Sequence, residues 1–446
     1  MTPKNLPQCF LLLSVLVSVR CGGGDPGEGG HPNGSDGSVD DGSTNDGEDG
    51  STSPSTDGGG GAPWTPPHKT LFFSQKNDTS GSEVVMYRFD TGAVETLWHD
   101  KAEIKIETSS GGKFFFLTSR PNKSDQVWVF DSGKPKSANN PKVLWTPAKS
   151  STGEPGVLWG LTAIGGKLYS VTDDPFATWM VDPATATAKK LFSDQGFDPV
   201  GAAGKIVFRT SSNFSSLISW DPSQPESNHN PLYVPGNRGW GPAALGNKVY
   251  HIDDGPTNLL YAYDASSGLS ASNPRPLFHY PARATFRPYI HAGKIYYVGS
   301  KQLYSPDDNL CIFDPARPES ATNPKEVKVG DNLREESLFG SAGKFFLLIS
   351  GATAAGGGNL ALYDPSLAAS STNPKIVDMP QGAAPASSEG FAFDGDQVYF
   401  FMVGSAGEMH VALLDTTKPI QVDVNPKKMF ALKQDYGASE LHLGTR

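Results

Sequence analysis

One phrase, an apolar run closed by aspartate, returns eight times in this chain: MYRFD, VWVFD, TWMVD, LISWD, LYAYD, LCIFD, LALYD and VALLD. The aspartates are Asp90, Asp131, Asp182, Asp221, Asp264, Asp314, Asp364 and Asp415, and they span 325 residues in seven steps, a mean of about 46. That period suits a four-stranded propeller blade and is longer than the roughly 33 to 34 residues of common helical repeats. Ahead of the phrase, units 2 to 8 carry a second apolar strand entered through a glycine turn: GGKFFFLTS, GGKLYSVT, AGKIVFRT, LGNKVYHI, AGKIYYVG, AGKFFLLI and DGDQVYFFM. Each repeat therefore reads strand A, glycine turn, strand B, polar loop, strand C, aspartate turn, strand D.

The C-strand phrases are apolar on both alternating sets of positions. Phe89, Phe130, Val181, Trp220, Tyr263, Phe313, Tyr363 and Leu414 stand next to the aspartates, and the intervening set still holds Val129, Met180, Ile312, Leu362 and Leu413. A strand exposed on one side would alternate with polar residues, so both faces must be covered, as in blades stacked about an axis. Unit 1 begins at its B strand, KTLFFSQ from Lys69, with no A strand before it, and the chain ends in GASELHLGTR, which is similar to the A strand of unit 5. The expected fold is all-β: an eight-bladed β-propeller of four-stranded antiparallel blades over residues 63–446, with the C-terminal strand closing blade 1. Composition agrees, since 50 Gly, 36 Pro and only 19% charged residues favour turns over long helices.

The first 62 residues are of another kind. Lys4 precedes the 11-residue apolar run Cys9 to Val19, the length of a signal h-region and short of the ~20 residues that span a bilayer. Residues 1–20 are expected to be a signal peptide. Cys21, followed by three glycines, resembles the acylated cysteine of a bacterial lipobox, although Arg20 stands where that pattern has a small residue. Residues 21–62 hold nine acids, no base and almost nothing apolar, so they cannot offset the entropy of ordering and read as a disordered, lipidated linker. The formal charge of −10 is mostly this tract: the signal contributes +2 and residues 63–446 only −3. No basic surface for nucleic acid is evident, and none is expected as a partner. Cys311 is the one cysteine of the propeller segment, in a strand position held elsewhere by Trp128, Trp179 and Ile218, and reads as a buried thiol.

The turn between strands C and D is spelled with Asn-Pro at Asn140, Asn230, Asn273, Asn323, Asn373 and Asn425. Asn bonds to nearby backbone and Pro removes an edge donor, so turn-making is the reading here rather than calcium binding. The loops B to C and D to A share one face around the channel. Counting eight residues back from the lysine of each glycine turn gives Lys105, Trp159, Phe197, Trp240, Phe286 and Glu336, the same count from Gln397 gives Glu389, and Tyr436 is the nearest match in unit 1. These are the ligand-face candidates, with inner core packing as the alternative role for the aromatics. Paired loop carboxylates at Asp173-Asp174, Asp253-Asp254 and Asp307-Asp308 are the catalytic alternative, since pairs of this kind serve as acid and base. They are equally ordinary hairpin loops. No metal or nucleophile motif is recognised, no catalytic residue is assigned, and no cofactor or metal is expected.

YRFDTGAVETLW of unit 1 resembles the strand-turn-Trp phrase of PQQ-like propeller repeats, a group that includes eight-bladed outer-membrane lipoproteins serving in membrane-protein assembly. Later units replace the final Trp by Phe192, Phe278 or Val377 and insert the Asn-Pro turn. TolB-like and Kelch-like propellers are similar at the same distance. The resemblance implies architecture. The expected function is a monomeric, membrane-tethered, non-enzymatic binding scaffold of the bacterial cell envelope, on an outer-membrane lipid anchor, with a protein or glycan ligand. The alternatives are an envelope assembly or signalling factor with a protein partner, and an enzyme acting on glycans or esters through the paired aspartates.

Overall fold

The computed structural model describes residues 65–445 except 78–80, 174, 211–214, 228, 237–238, 254–259, 279–287, 300–308, 321, 329–332, 342, 350–358, 371, 378, 380–383, 386–389, 405–406 and 433–436. Among the described residues the regular elements are all β-strands, and no helix there is long and apolar enough to cross a membrane. The strands form eight antiparallel sheets, the blades of one propeller. Blade 2 shows the common plan: A, Glu103–Ser110; B, Lys113–Arg120; C, Lys123–Asp131; D, Lys142–Trp145, hydrogen-bonded in that order.

Local chemistry sets the plan. The A–B turn of blade 2 places both Gly111 and Gly112 at positive φ, 57° and 70°, as the tightest right-twisting hairpin requires. The C–D turns are held by side-chain amides. In blade 2, Asn140 Oδ1 accepts the Asp131 backbone N–H at 2.8 Å, while its Nδ2 donates to the carbonyls of Asp131, Lys134 and Pro135 at 3.0–3.2 Å. The same amide sits in the turns at Asn230, Asn323, Asn373 and Asn425, and with one donor contact fewer at Asn273. All six Asn-Pro bonds are cis.

The core is a circuit of eight apolar layers among the described residues, each between two successive blades. Alternating residues of one strand enter opposite layers: Phe130 packs with Phe72 and Phe114 against blade 1, while Val129 packs with Leu161 and Val181 against blade 3. Period-2 geometry thus turns a two-sided apolar strand into a two-sided joint. The circuit closes where Leu71, Phe73 and Leu441 of blade 1 meet Tyr399, Phe401 and Val411 of blade 8. Cys311 is fully buried in the layer between blades 5 and 6.

Strand Gly437–Thr445 is strand A of blade 1 and pairs with strand B, Lys69–Asn77, from Lys69↔Thr445 to Lys76↔Gly437. Across this seam Lys69 Nζ lies 2.5 Å from Asp394 Oδ2 and donates to Tyr399 Oη at 2.7 Å. Blade 8 departs from the plan, its A strand being split into Ala384–Pro385 and Phe391–Asp394.

Candidate functional site

Strand A carries a bulge in most blades, near the end reached from the D–A connection. In blade 2, Ile104 pairs with Thr118 and Ile106 with Leu117, so Lys105 is the unpaired extra residue. In blade 3 (A, Leu158–Ile164), Trp159 pairs with Val171 and Leu161 with Ser170, leaving out Gly160 at φ +73°. Ser170 Oγ fixes that bulge by donating to Gly160 O at 2.8 Å. In blade 4 (A, Gly196–Ala202), Asp198 and Pro199 oppose Phe208; in blade 5 (A, Gly239–Leu245), Gly241 and Pro242 oppose His251. Bulges re-aim side chains at a sheet's rim, and here they do so around the axis.

The result is a contiguous strip over blades 2 to 4. Lys105 Nζ stands 5.8 Å from the centroid of the Trp159 indole and 3.2 Å from Asp125 Oδ2. The Asp125 side chain is 2% exposed and also accepts the Leu158 backbone N–H at 2.9 Å. Asp125 N donates in turn to Gly156 O, and Gly156 N to Ser124 Oγ, both at 2.9 Å. One buried carboxylate therefore ties the D–A connection to blade 2 and holds both the residue before Trp159 and the cation on its face. Trp159 itself is 49% exposed, which is a large apolar area to leave in water on an inner strand. Phe197 follows, its ring 3.8 Å from where a Cβ on Gly160 would lie, with the Arg209 guanidinium 5.1 Å from its centroid. Arg209 Nε donates to Asp198 Oδ2 at 2.8 Å. The strip thus alternates ammonium, indole, phenyl and guanidinium, each cation with its own carboxylate. Its chemistry is stacking with adjacent polar donors and acceptors, the pattern that takes a sugar ring or an aromatic side chain.

Of the sequence candidates, Lys105, Trp159 and Phe197 are brought together. Trp240 and Glu336 occupy strand A of blades 5 and 7, Gly239–Leu245 and Leu333–Ser341. Phe286, Glu389, Tyr436 and the acylation candidate Cys21 lie outside the described residues. Asp173 begins the B–C loop of blade 3, where its backbone N–H donates to Val157 O at 3.2 Å and its Oδ1 accepts from Gln195 Nε2 at 3.4 Å. Asp253 ends strand B of blade 5, and Asp174, Asp254, Asp307 and Asp308 are outside the described residues. No group of three His, Cys, Asp or Glu able to hold a metal occurs among the described residues. Asp125, Asp198 and Arg209 were not singled out by the sequence pattern. For Asp125 the available signal was a lone acid heading the apolar strand DQVWVF.

A second polar group is buried beneath the same rim. His251 is 1% exposed, faces the blade 5 bulge and stacks on Tyr261 with centroids 5.6 Å apart. Neither ring nitrogen has a hydrogen-bond partner, and burial pushes its pKa down to about 3. It is a neutral imidazole at physiological pH.

No protein-family model and no curated protein matches the chain. Among solved structures it is similar to a prolyl endopeptidase, with a TM-score of 0.51 and 11% identity over 76% of this chain and 50% of that one. The chain thus spans half the length of that enzyme. It is also similar to apo AztD from Citrobacter koseri, TM-score 0.46 and 14% identity over 84% and 97% of the two chains. The β-propeller domain of the Trilobed protease from Pyrococcus furiosus gives 0.44 and 14% over 82% and 95%. At such identities the likeness is one of fold.

Proposed function

We propose that the protein is a non-enzymatic binding scaffold of the bacterial cell envelope, carried on a lipid anchor at Cys21 through residues 21–62, and that its ligand docks on the strip around Trp159. The observation that carries this reading is the half-exposed indole, held on an inner strand by Asp125 and Lys105. An exposed aromatic fixed by a buried charge network is preorganised, so little ordering entropy is lost when a ligand stacks on it. The ligand class that fits is a glycan or a peptide bearing aromatic residues.

The test is a glycan array and a peptide library probed with the full chain, followed by calorimetry of each hit against Trp159→Ala. Truncating a central aromatic anchor costs about 2 kcal/mol or more in binding interfaces, so affinity is expected to fall at least about thirtyfold. Hits bound equally by wild type and Trp159→Ala would remove the strip as the site. The intact mass of detergent-extracted protein tests the anchor: an acylated chain starting at Cys21 is expected, and an unmodified mature chain overturns that part.

A further inference from the structure

The rim that carries Trp159 holds another aromatic side chain outside the strip. Phe176 lies in the B–C loop of blade 3, between strands Lys167–Thr172 and Ala177–Asp182. With 56% exposure for Phe176 and 49% for Trp159, these are the two most exposed Phe, Tyr or Trp side chains among the described residues. Both belong to the same blade. Single exposed apolar residues are ordinary, so the weight lies on their pairing and on how firmly the loop is held.

Thr172 Oγ1 donates to Pro175 O at 2.8 Å and accepts the Trp179 indole N–H at 3.1 Å. On the other side of Phe176, Ala177 is buried and pairs with Thr172 in the ladder. Phe176 is thus held between two fixed neighbours with its own side chain in water, so a partner stacks on it with little loss of ordering entropy. Asp173 Oδ1 accepts from Gln195 Nε2 at 3.4 Å, which joins this loop to the connection leading into Phe197. The ladder also sets the spacing. Leu158, Thr172 and Ala177 form one row across strands A, B and C. Trp159 follows Leu158 and Phe176 precedes Ala177, so they lie two strand spacings apart and one step to either side of that row. Their Cα atoms are therefore separated by about 12 Å, a span for a chain of linked rings rather than for one.

We infer that Phe176 is a second stacking platform of the Trp159 site, and that the ligand is a glycan chain of several sugars laid across blade 3 from strand A toward strand C. The inference rests on the reading of Trp159 as a ligand contact and narrows the ligand to one class. Sugars suit the surface because their C–H faces stack on aromatic rings while their hydroxyls both donate and accept hydrogen bonds. The polar groups beside the rings use both capacities. Asp173 and Asp198 bring carboxylate acceptors, and Gln195 and Lys105 bring N–H donors, each oriented by a neighbour. An extended peptide gains its affinity by adding to an open strand edge. The path from Trp159 to Phe176 instead crosses strand B, which is paired on both sides, so a peptide lying along it would find no edge to extend.

Calorimetry of the full chain tests this with cellohexaose, chitohexaose and maltohexaose and with the disaccharide of each series. At least one hexasaccharide is expected to bind saturably, about tenfold or more tighter than its disaccharide. Phe176→Ala should close that gap to within about twofold, Phe176→Trp should restore it, and Trp159→Ala should weaken both lengths. Phe176 is exposed, so the melting temperature should be retained in both of its variants. A length gap that persists in Phe176→Ala overturns the inference, and leaves the Trp159 site standing if Trp159→Ala still weakens binding. Hexasaccharide binding indifferent to Trp159→Ala overturns both. Absence of saturable binding by every hexasaccharide also overturns the inference; a library peptide bound through Trp159 would then keep that site with the other ligand class.

Discussion

Asp125 shows how a single side chain shapes the rim. It is buried, yet it bonds a backbone N–H and an ammonium group on two different blades. Asp125→Ala leaves the Leu158 N–H without its acceptor and Lys105 without its counter-charge, so a loss of about 1–3 kcal/mol in chemical denaturation is expected. Asp125→Asn keeps an acceptor and should lose less. In both variants ligand affinity at Trp159 should fall while Trp159→Ala itself leaves stability nearly unchanged, a split that separates positioning from contact. His251 makes a different prediction. Its folded pKa of about 3 lies below the ordinary value of 6.5, so the folded state binds fewer protons than the unfolded chain. The stability this contributes is complete above about pH 6.5 and is lost as pH falls toward 3, at about 1.4 kcal/mol per pH unit. His251→Phe has no proton to gain. The stability difference between variant and wild type should move in the variant's favour between pH 7 and pH 4.5, measured by urea midpoints at each pH; a constant difference would contradict the buried neutral ring.

At the level of the element, the C–D turn is a cassette. Its asparagine amide joins the end of strand C to two further carbonyls in the loop, and the pattern survives while the residues between vary from KPKSAN to LAASST. Removing the amide strands several polar groups at once, so Asn323→Ala should cost about 1–3 kcal/mol. Asn323→Asp should cost at least as much, because its carboxylate would face the carbonyls of Asp314, Arg317 and Pro318 in place of a donor. Thermal melts of both variants check the order. The inner strand is less uniform: bulges of different make-up in blades 1 to 5 and 7, and a break in blade 8, give these blades different rims. The scaffold thus repeats where blades pack and diverges where a ligand would sit.

For the whole molecule, stability rests on closure. Each apolar layer needs two blades, and the layer between blades 8 and 1 needs the last strand, which brings Leu441. Deleting residues 437–446 removes the ladder partner of strand Lys69–Asn77. The expected loss is comparable to the ~5–15 kcal/mol that holds a domain folded, seen as loss of cooperative unfolding. Gly444→Ala is the milder probe. A Cβ there would meet Phe72 Cε2 and Thr70 Oγ1 at 2.6 Å, and forcing it in should cost about 1–3 kcal/mol.

How far these features are legible in the amino-acid order varies with the range of the forces behind them. Strand period, two-sided apolar faces, glycine turns and the repeat of Asp and Asn-Pro are local or near-local, and they determine eight blades, their order and the return of the C-terminal strand to blade 1. Lys105, Trp159 and Phe197 are reached by counting from each turn lysine, and all three fall near the start of strand A in blades 2 to 4. What the counting misses is contact between blades. Asp125 sits 34 residues before Trp159 and acts through the backbone of Leu158, and Glu319 pairs with Arg275 from the neighbouring blade's loop. Those pairings arise only when the ring sets one blade against the next, since the energy of a charge depends on which opposite charge and how much water the tertiary structure leaves beside it.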